Sequence, residues 1–246
     1  MRIGSCSALV VIALSVIGCS SEVHEDDVVD ESESSIVGGT TTTKYEAVGA
    51  LVEDGEPFCT GTVIAPRRVL TAAHCLVGMR AANVRFVLGP NAYAPTATLR
   101  VSKLRPHPAY DDNDDDSEAD IGIVDLAEDA EVTPIPRNTT KLGDEWIGKT
   151  AAFVGYGVTN GKTGAGIGKK RVVTMPITEL YGTELVYEKR GANTCSGDSG
   201  GPALAKNDDG VLVVIGVTSW GDEDCTGYGV DTRVDAYRTW VGQALR

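Results

Sequence analysis

The chain has 246 residues, with 22 Lys and Arg against 35 Asp and Glu and a formal net charge of −13. At 42% hydrophobic and 23% charged residues it can fill the core of one large domain or two small barrels, which excludes wholesale disorder. No basic cluster exceeds Lys169, Lys170 and Arg171, which excludes nucleic acid as a partner, because a polyanion needs a basic stripe.

In chain order, Arg2 precedes a charge-free apolar run over 3–18. That is too short to span a bilayer comfortably but suits an export signal, so 1–18 is predicted to be a signal peptide. The run ends in Val16-Ile17-Gly18-Cys19, which resembles a bacterial lipobox and would make Cys19 a lipidated, membrane-anchored residue. The alternative is an ordinary secretory signal with an incidental Cys19. Either route is extracytoplasmic, as a cell-envelope lipoprotein or a secreted protein. Residues 19–35 are predicted to be an acidic linker or propeptide. Residues 20–35 hold seven carboxylates, no Lys or Arg and no Phe, Tyr or Trp, and cannot bury enough surface to offset their ordering entropy. The remaining 211 residues carry −7 of the charge, since only Arg2 balances those seven acids. No 20-residue apolar stretch follows, so membrane attachment is expected only through Cys19.

From residue 48 onward, short runs rich in Val, Ile, Thr and aromatics alternate with turn signals: 48–52, 58–65, 69–73, 83–89 and 97–104, then 150–157, 170–177, 201–206, 211–220 and 228–234. Many short strands with frequent turns predict an all-β sandwich or barrel. The 29 glycines exceed the usual ~7% and belong mostly to those turns. Asp208-Asp209-Gly210 is the clearest hairpin signal. Thr133-Pro134-Ile135-Pro136-Arg137 predicts an extended connection, because two prolines fix φ and donate no ladder bonds. The domain boundary is placed there, giving 36–137 and 138–246. Val234, Tyr237, Val241 and Leu245 recur at helical spacing with Asp235 in the first turn, predicting a C-terminal helix that docks on a barrel.

Three local patterns carry chemistry: Thr71-Ala72-Ala73-His74-Cys75, Asp120-Ile121-Gly122-Ile123-Val124, and Gly197-Asp198-Ser199-Gly200-Gly201-Pro202. A serine hydroxyl keeps its proton at neutral pH and needs a neighbouring base as it attacks. An imidazole can take that proton and return it to a leaving group. A carboxylate on the far ring nitrogen fixes the tautomer. Together the three patterns, in the order His, Asp, Ser, strongly resemble the trypsin/chymotrypsin-like serine proteases. The resemblance runs from Ile36-Val37-Gly38-Gly39 to the final helix with Trp240.

That resemblance implies two packed six-stranded antiparallel β-barrels with a C-terminal helix, and a catalytic set of His74, Asp120 and Ser199. The backbone N–H groups of Gly197 and Ser199 would form the oxyanion hole. His107, between two prolines, looks like a loop residue, so His74 is the base. On spacing alone Asp116 or Asp125 could replace Asp120; the apolar run after Asp120 favours it. Ile36 implies a zymogen, in which cleavage before it creates an α-amine that pairs with Asp198. Ser35 stands where Lys or Arg is usual, and no Lys or Arg occurs between Arg2 and Lys44, so a separate activating protease is expected. The family pattern also pairs Cys59 with Cys75 and Cys195 with Cys225, as an oxidising compartment permits.

For specificity, the resemblance puts Asn193 at the floor of the primary pocket, where trypsin-like members carry Asp, which leaves a preference for Lys and Arg open against aromatic or large apolar residues and against small ones. Gly221 and Gly229 would line its walls, and Asp231 could supply a displaced carboxylate at the base. Ser219, Trp220 and Gly221 would pair with the substrate backbone, and Ser219 could also support Asp120. No cofactor or metal is expected, since the acidic loop from Asp111 lacks EF-hand spacing. The expectation is a monomeric, exported serine endopeptidase acting on polypeptides through an acyl-enzyme. The alternatives are a non-catalytic binding or adhesion protein on the same fold, and an esterase, because GDSGG formally matches G-x-S-x-G.

Overall fold

The computed structural model describes Met1, residues 36–114 and residues 119–246. The chain divides into units at 1–31 and 32–246. The signal peptide, Cys19, the acidic linker and Asp116 lie outside the described residues, and everything below concerns the second unit.

The first barrel closes β2 (Val48–Glu53), β3 (Glu56–Ala65), β4 (Arg68–Thr71), β7 (Gly122–Leu126), β6 (Ala97–Pro106) and β5 (Val84–Leu88) in that spatial order, with β5 returning to β2. All its pairings are antiparallel. β6 shows the period-2 logic plainly: Leu99 and Val101 point inward, while Thr98, Arg100 and Ser102 face out. β7 is buried throughout, as its apolar run requires. The second barrel joins β8 (Thr150–Gly155), β9 (Arg171–Tyr181), β10 (Glu184–Glu188), β13 (Tyr228–Arg233), β12 (Leu212–Gly221) and β11 (Pro202–Lys206). It closes through β8, which pairs with both β9 and β11. β10 was not predicted from sequence, because its charged ends and single turn of alternation hide the two inward residues, Leu185 and Tyr187.

Two segments cross between the barrels. β1 (Thr40–Thr41) pairs with β9 of the second barrel, and Ile36 is buried in that barrel's core beside Leu142, Trp146 and Phe153. At the other end, α1 (Arg238–Ala244) returns to the first barrel: Arg68 donates to the Ala244 carbonyl at 3.1 Å, and the His107 ring meets Tyr237 and Trp240 edge-on at 5.0 and 4.7 Å. The helix starts three residues later than Asp235, predicted in its first turn. That carboxylate is instead held by Arg233 and the Leu142 amide, so tertiary bonds take it from the helix terminus.

The connection through Pro134 and Pro136 is extended and tied to both sides. Ile135 donates to the Val63 carbonyl, while the Pro136 carbonyl and Asn138 amide bond Val214. The hairpin predicted at Asp208-Asp209-Gly210 joins β11 to β12, with Gly210 at φ 77° and the Asn207 carboxamide oxygen accepting the Asp209 and Val211 amides.

Candidate active site

His74 lies in the turn after β4 and Asp120 two residues before β7. These strands pair with Thr71 opposite Gly122, so the register alone brings the two side chains together. The Asp120 carboxylate accepts from the His74 amide at 2.8 Å and meets His74 Nδ1 at 2.7 Å. It accepts a third bond, at 2.6 Å, from the Ser219 hydroxyl. Burial raises the Asp120 pKa, but the His74 ring, its charge, Ser219 and the His74 amide outweigh that and hold it below the usual carboxylate range. Asp125, the alternative on spacing, is bonded to Arg105 and faces Arg68 at 3.4 Å, so it belongs to a different network.

Ser219 reaches Asp120 because β12 is irregular there. Thr218 opposes Asp231 and Trp220 opposes Val230, so one residue is bulged out of the ladder with β13. The pairing of β11 with β12 begins at Pro202 and Val217. The outer edge of Ser219–Gly221 therefore has no partner strand among the described residues.

Ser199 sits in the loop before β11, and that loop is bolted to the first barrel. Thr60, on β3, donates its amide to the Ser199 carbonyl at 2.8 Å and its hydroxyl to the Gly197 carbonyl at 2.8 Å. The same hydroxyl accepts the Tyr156 amide at 3.2 Å. Thr60 was not singled out from sequence, since a threonine in a strand carries no local sign of a contact 137 residues away. The Cys75 sulfur lies 3.6 Å from His74 Nε2 and 3.7 Å from the Ser199 carbonyl, which puts the His74 ring beside the serine loop. His74 Nε2 and the Ser199 hydroxyl form no hydrogen bond among the described residues; such contacts often tighten only around substrate.

Within the loop, the Asp198, Gly200 and Gly201 amides donate to the Cys195, Thr218 and Asp198 carbonyls. The Gly197 and Ser199 amides have no acceptor among the described residues. These are the two donors expected for an oxyanion. The Asp198 carboxylate turns inward and accepts from the Gly157 and Cys195 amides at 2.8 and 2.9 Å. Burial is the main cause of its pKa being pushed up to about 7, against the two amides and the charge of Arg171. A Cβ at Gly155 or Gly157 would collide with this carboxylate at 2.1 and 2.6 Å, so both glycines make room for it.

Both disulfides implied by the resemblance are present, Cys59–Cys75 and Cys195–Cys225. The first includes both cysteines of the sole His/Cys/carboxylate cluster close enough to hold a metal among the described residues, which leaves no thiolate there. The second borders a cavity of about 180 Å³ lined by Ser199, Ser196, Thr194, Ser219, Trp220, Gly221, Asp222 and Glu223, among others.

The predicted pocket residues are divided by the structure. Ser219, Trp220 and Gly221 line the cavity. Asn193 is 1% exposed and lies beneath it, with its side-chain N–H groups donating to Asp222 and to the Tyr228 carbonyl, each at 2.9 Å. Gly229 is buried against Tyr187, whose ring a Cβ would meet at 2.4 Å. Its missing side chain therefore admits that ring, and the Tyr187 hydroxyl bonds Thr194 at 2.6 Å. Asp231, expected at the pocket base, is fully buried with Tyr187 and Thr218 as polar neighbours and is not among the lining residues. Burial pushes its carboxyl well above the usual range. Asp222 and Glu223, not singled out from the sequence, are the acidic residues that line the cavity.

Comparison with known proteins gives this geometry relatives. A family profile described as Trypsin matches residues 36–241. A trypsin from Saccharopolyspora erythraea is 32% identical over 225 residues, covering 82% of this chain and 94% of that protein. Kallikrein-2 from Homo sapiens is 30% identical, covering 95% of this chain and 96% of its own length. Melanization protease 1 from Drosophila melanogaster is also 30% identical, with 86% of this chain and 66% of that protein covered.

Proposed function

The chain belongs to the trypsin family and is a serine endopeptidase, and from that premise we propose that His74, Asp120 and Ser199 cleave peptide bonds through an acyl-enzyme. The observation that carries this reading is the His74 ring clamped by Asp120 at 2.7 Å beside a serine loop whose Gly197 and Ser199 amides have no acceptor among the described residues. The Ser199 oxygen attacks the substrate carbonyl carbon while its proton passes to His74 Nε2. The Gly197 and Ser199 amides hold the resulting oxyanion, where each such donor is worth roughly 3 kcal/mol. Asp120 keeps the Nδ1 proton in place and stabilises the imidazolium. Collapse breaks the C–N bond, and His74 gives its proton to the departing amine. Water then repeats the sequence on the ester and frees Ser199. The open edge at Ser219–Gly221 would take the substrate as an added antiparallel strand.

The protein would be made as an exported zymogen with residues 1–18 as the signal, Cys19 as a lipid anchor, and cleavage before Ile36 by another protease. The disulfides fit an oxidising, extracellular setting. A fluorophosphonate should label the processed protein at Ser199, and Ser199→Ala should abolish labelling. No labelling of protein beginning at Ile36 would favour the non-catalytic binder. Mass spectrometry of the processed chain should find Ile36 at its N-terminus.

A further inference from the structure

We propose that Asp222 is the specificity carboxylate of this enzyme, selecting Lys or Arg on the acyl side of the scissile bond, with Asn193 as its clamp; this rests on the serine endopeptidase reading of the same site. Asp222 lines the cavity that also contains Ser199, so a side chain entering from the acyl carbon passes the nucleophile and meets this carboxylate. Its oxygens are fixed from several sides. One accepts from Asn193 and from the Gly227 amide, each at 2.9 Å; the other accepts from the Thr226 amide at 2.8 Å. Burial raises its pKa, but those amides outweigh it and hold the carboxyl below the usual range, so it is charged where the enzyme works.

Asn193 cannot recognise a substrate itself. Both hydrogens of its amide nitrogen are committed, to Asp222 and to the Tyr228 carbonyl, and its oxygen accepts the Thr194 amide. The neutral residue beneath the cavity thus orients the charged residue that lines it. The rival carboxylates lack that fixing or that access. Asp224 pairs with Lys162 at 3.4 Å, Glu223 stands exposed at the rim, and Asp231 is sealed in with Tyr187. A wall carboxylate in contact with solvent is screened by salt, so the preference should weaken as ionic strength rises.

The test compares peptide amide substrates bearing Arg, Lys, Phe and Ala before the scissile bond, on protein processed to Ile36. The wild type should prefer Arg and Lys. Asp222→Asn should lose about 100-fold in kcat/KM on those two, the scale of removing a charged hydrogen-bond partner, and change less than about fivefold on Phe and Ala. A wild type without that preference, or an equal loss on all four substrates in Asp222→Asn, would overturn the proposal. Calorimetric binding of benzamidine to Ser199→Ala protein, with and without Asp222→Asn, reads the carboxylate without turnover. Binding that depends on Asp222, together with no hydrolysis of any of the four substrates by processed protein that keeps Ser199, would sink the catalytic reading and leave this one standing. An active enzyme that ignores both Asp222 and benzamidine sinks this one alone.

Discussion

Asp120 gathers three donors on one carboxylate: the His74 ring, the His74 amide and the Ser219 hydroxyl. The ring bond sets the tautomer, so Asp120→Asn should lower kcat by about 10,000-fold with little change in KM. Ser219→Ala removes one neutral donor and should cost about 10-fold in kcat. Steady-state kinetics on a peptide amide substrate separates the two; equal losses would mean that Ser219 is as necessary as the ring bond. At this scale His74, Asp120 and Ser199 were legible because each stands in a short local motif. Thr60 and Asp222 were not, because their importance lies in partners that only folding brings near. The two carboxylates near the pocket show the difference sharply. Its offset from Gly229 points to Asp231, yet that residue is fully buried, whereas Asp222 lines the cavity.

Elements position these side chains by register and by close approach. Gly200 sits where the two barrels meet, at φ 81°, and a Cβ there would lie 2.0 Å from the Thr71 hydroxyl and 2.4 Å from the Thr60 carbonyl. Gly200→Ala should therefore destabilise by about 3 kcal/mol or more, combining left-handed strain with overpacking, and should lower activity as the serine loop shifts. Gly210 is at φ 77° with nothing within 4 Å, so Gly210→Ala should cost only about 1 kcal/mol and leave activity intact. Urea unfolding of both variants checks the contrast. The Cys195–Cys225 bond closes a separation of 30 residues, and replacing both cysteines by Ala should cost about 3–4 kcal/mol in the chain-entropy account. That loss should come with a raised KM, because the bond borders the pocket. Strands were mostly visible as β-branched runs, but the bulge in β12 that turns Ser219 toward Asp120 was not, since nothing in the local sequence marks it.

Across the whole molecule, the buried Asp198 links stability to pH. In the uncleaved chain its carboxyl titrates at about 7, against 3.8 as the ordinary value. The folded state therefore holds this proton more tightly than the unfolded one. Stability from this group is fully present below about pH 4 and falls as pH rises to about 7, by roughly 4 kcal/mol at most. The wild-type precursor should lose stability relative to Asp198→Asn over that window, and cleavage before Ile36 should reduce the loss by placing an ammonium group nearby. Urea midpoints at pH 4, 5.5 and 7.5 would show it; parallel curves for the two proteins would refute it.

The sequence by itself determined the β class, the three chemical motifs and, through its resemblance to a family, the pairing of the four cysteines. Local pattern is enough for these, because strand alternation and a motif of a few residues are written in neighbouring positions. Only the tertiary structure decided which amides lack an acceptor among the described residues, which segments cross between barrels, and which acids line the cavity beside Ser199. Those answers depend on ladder register and burial. One bulged residue in β12 re-aims a hydroxyl, and one glycine at 229 admits a tyrosine ring beside a carboxylate. The −13 charge says that acids are plentiful, but folding alone separates the buried Asp231 and Asp198 from the Asp222 that lines the pocket.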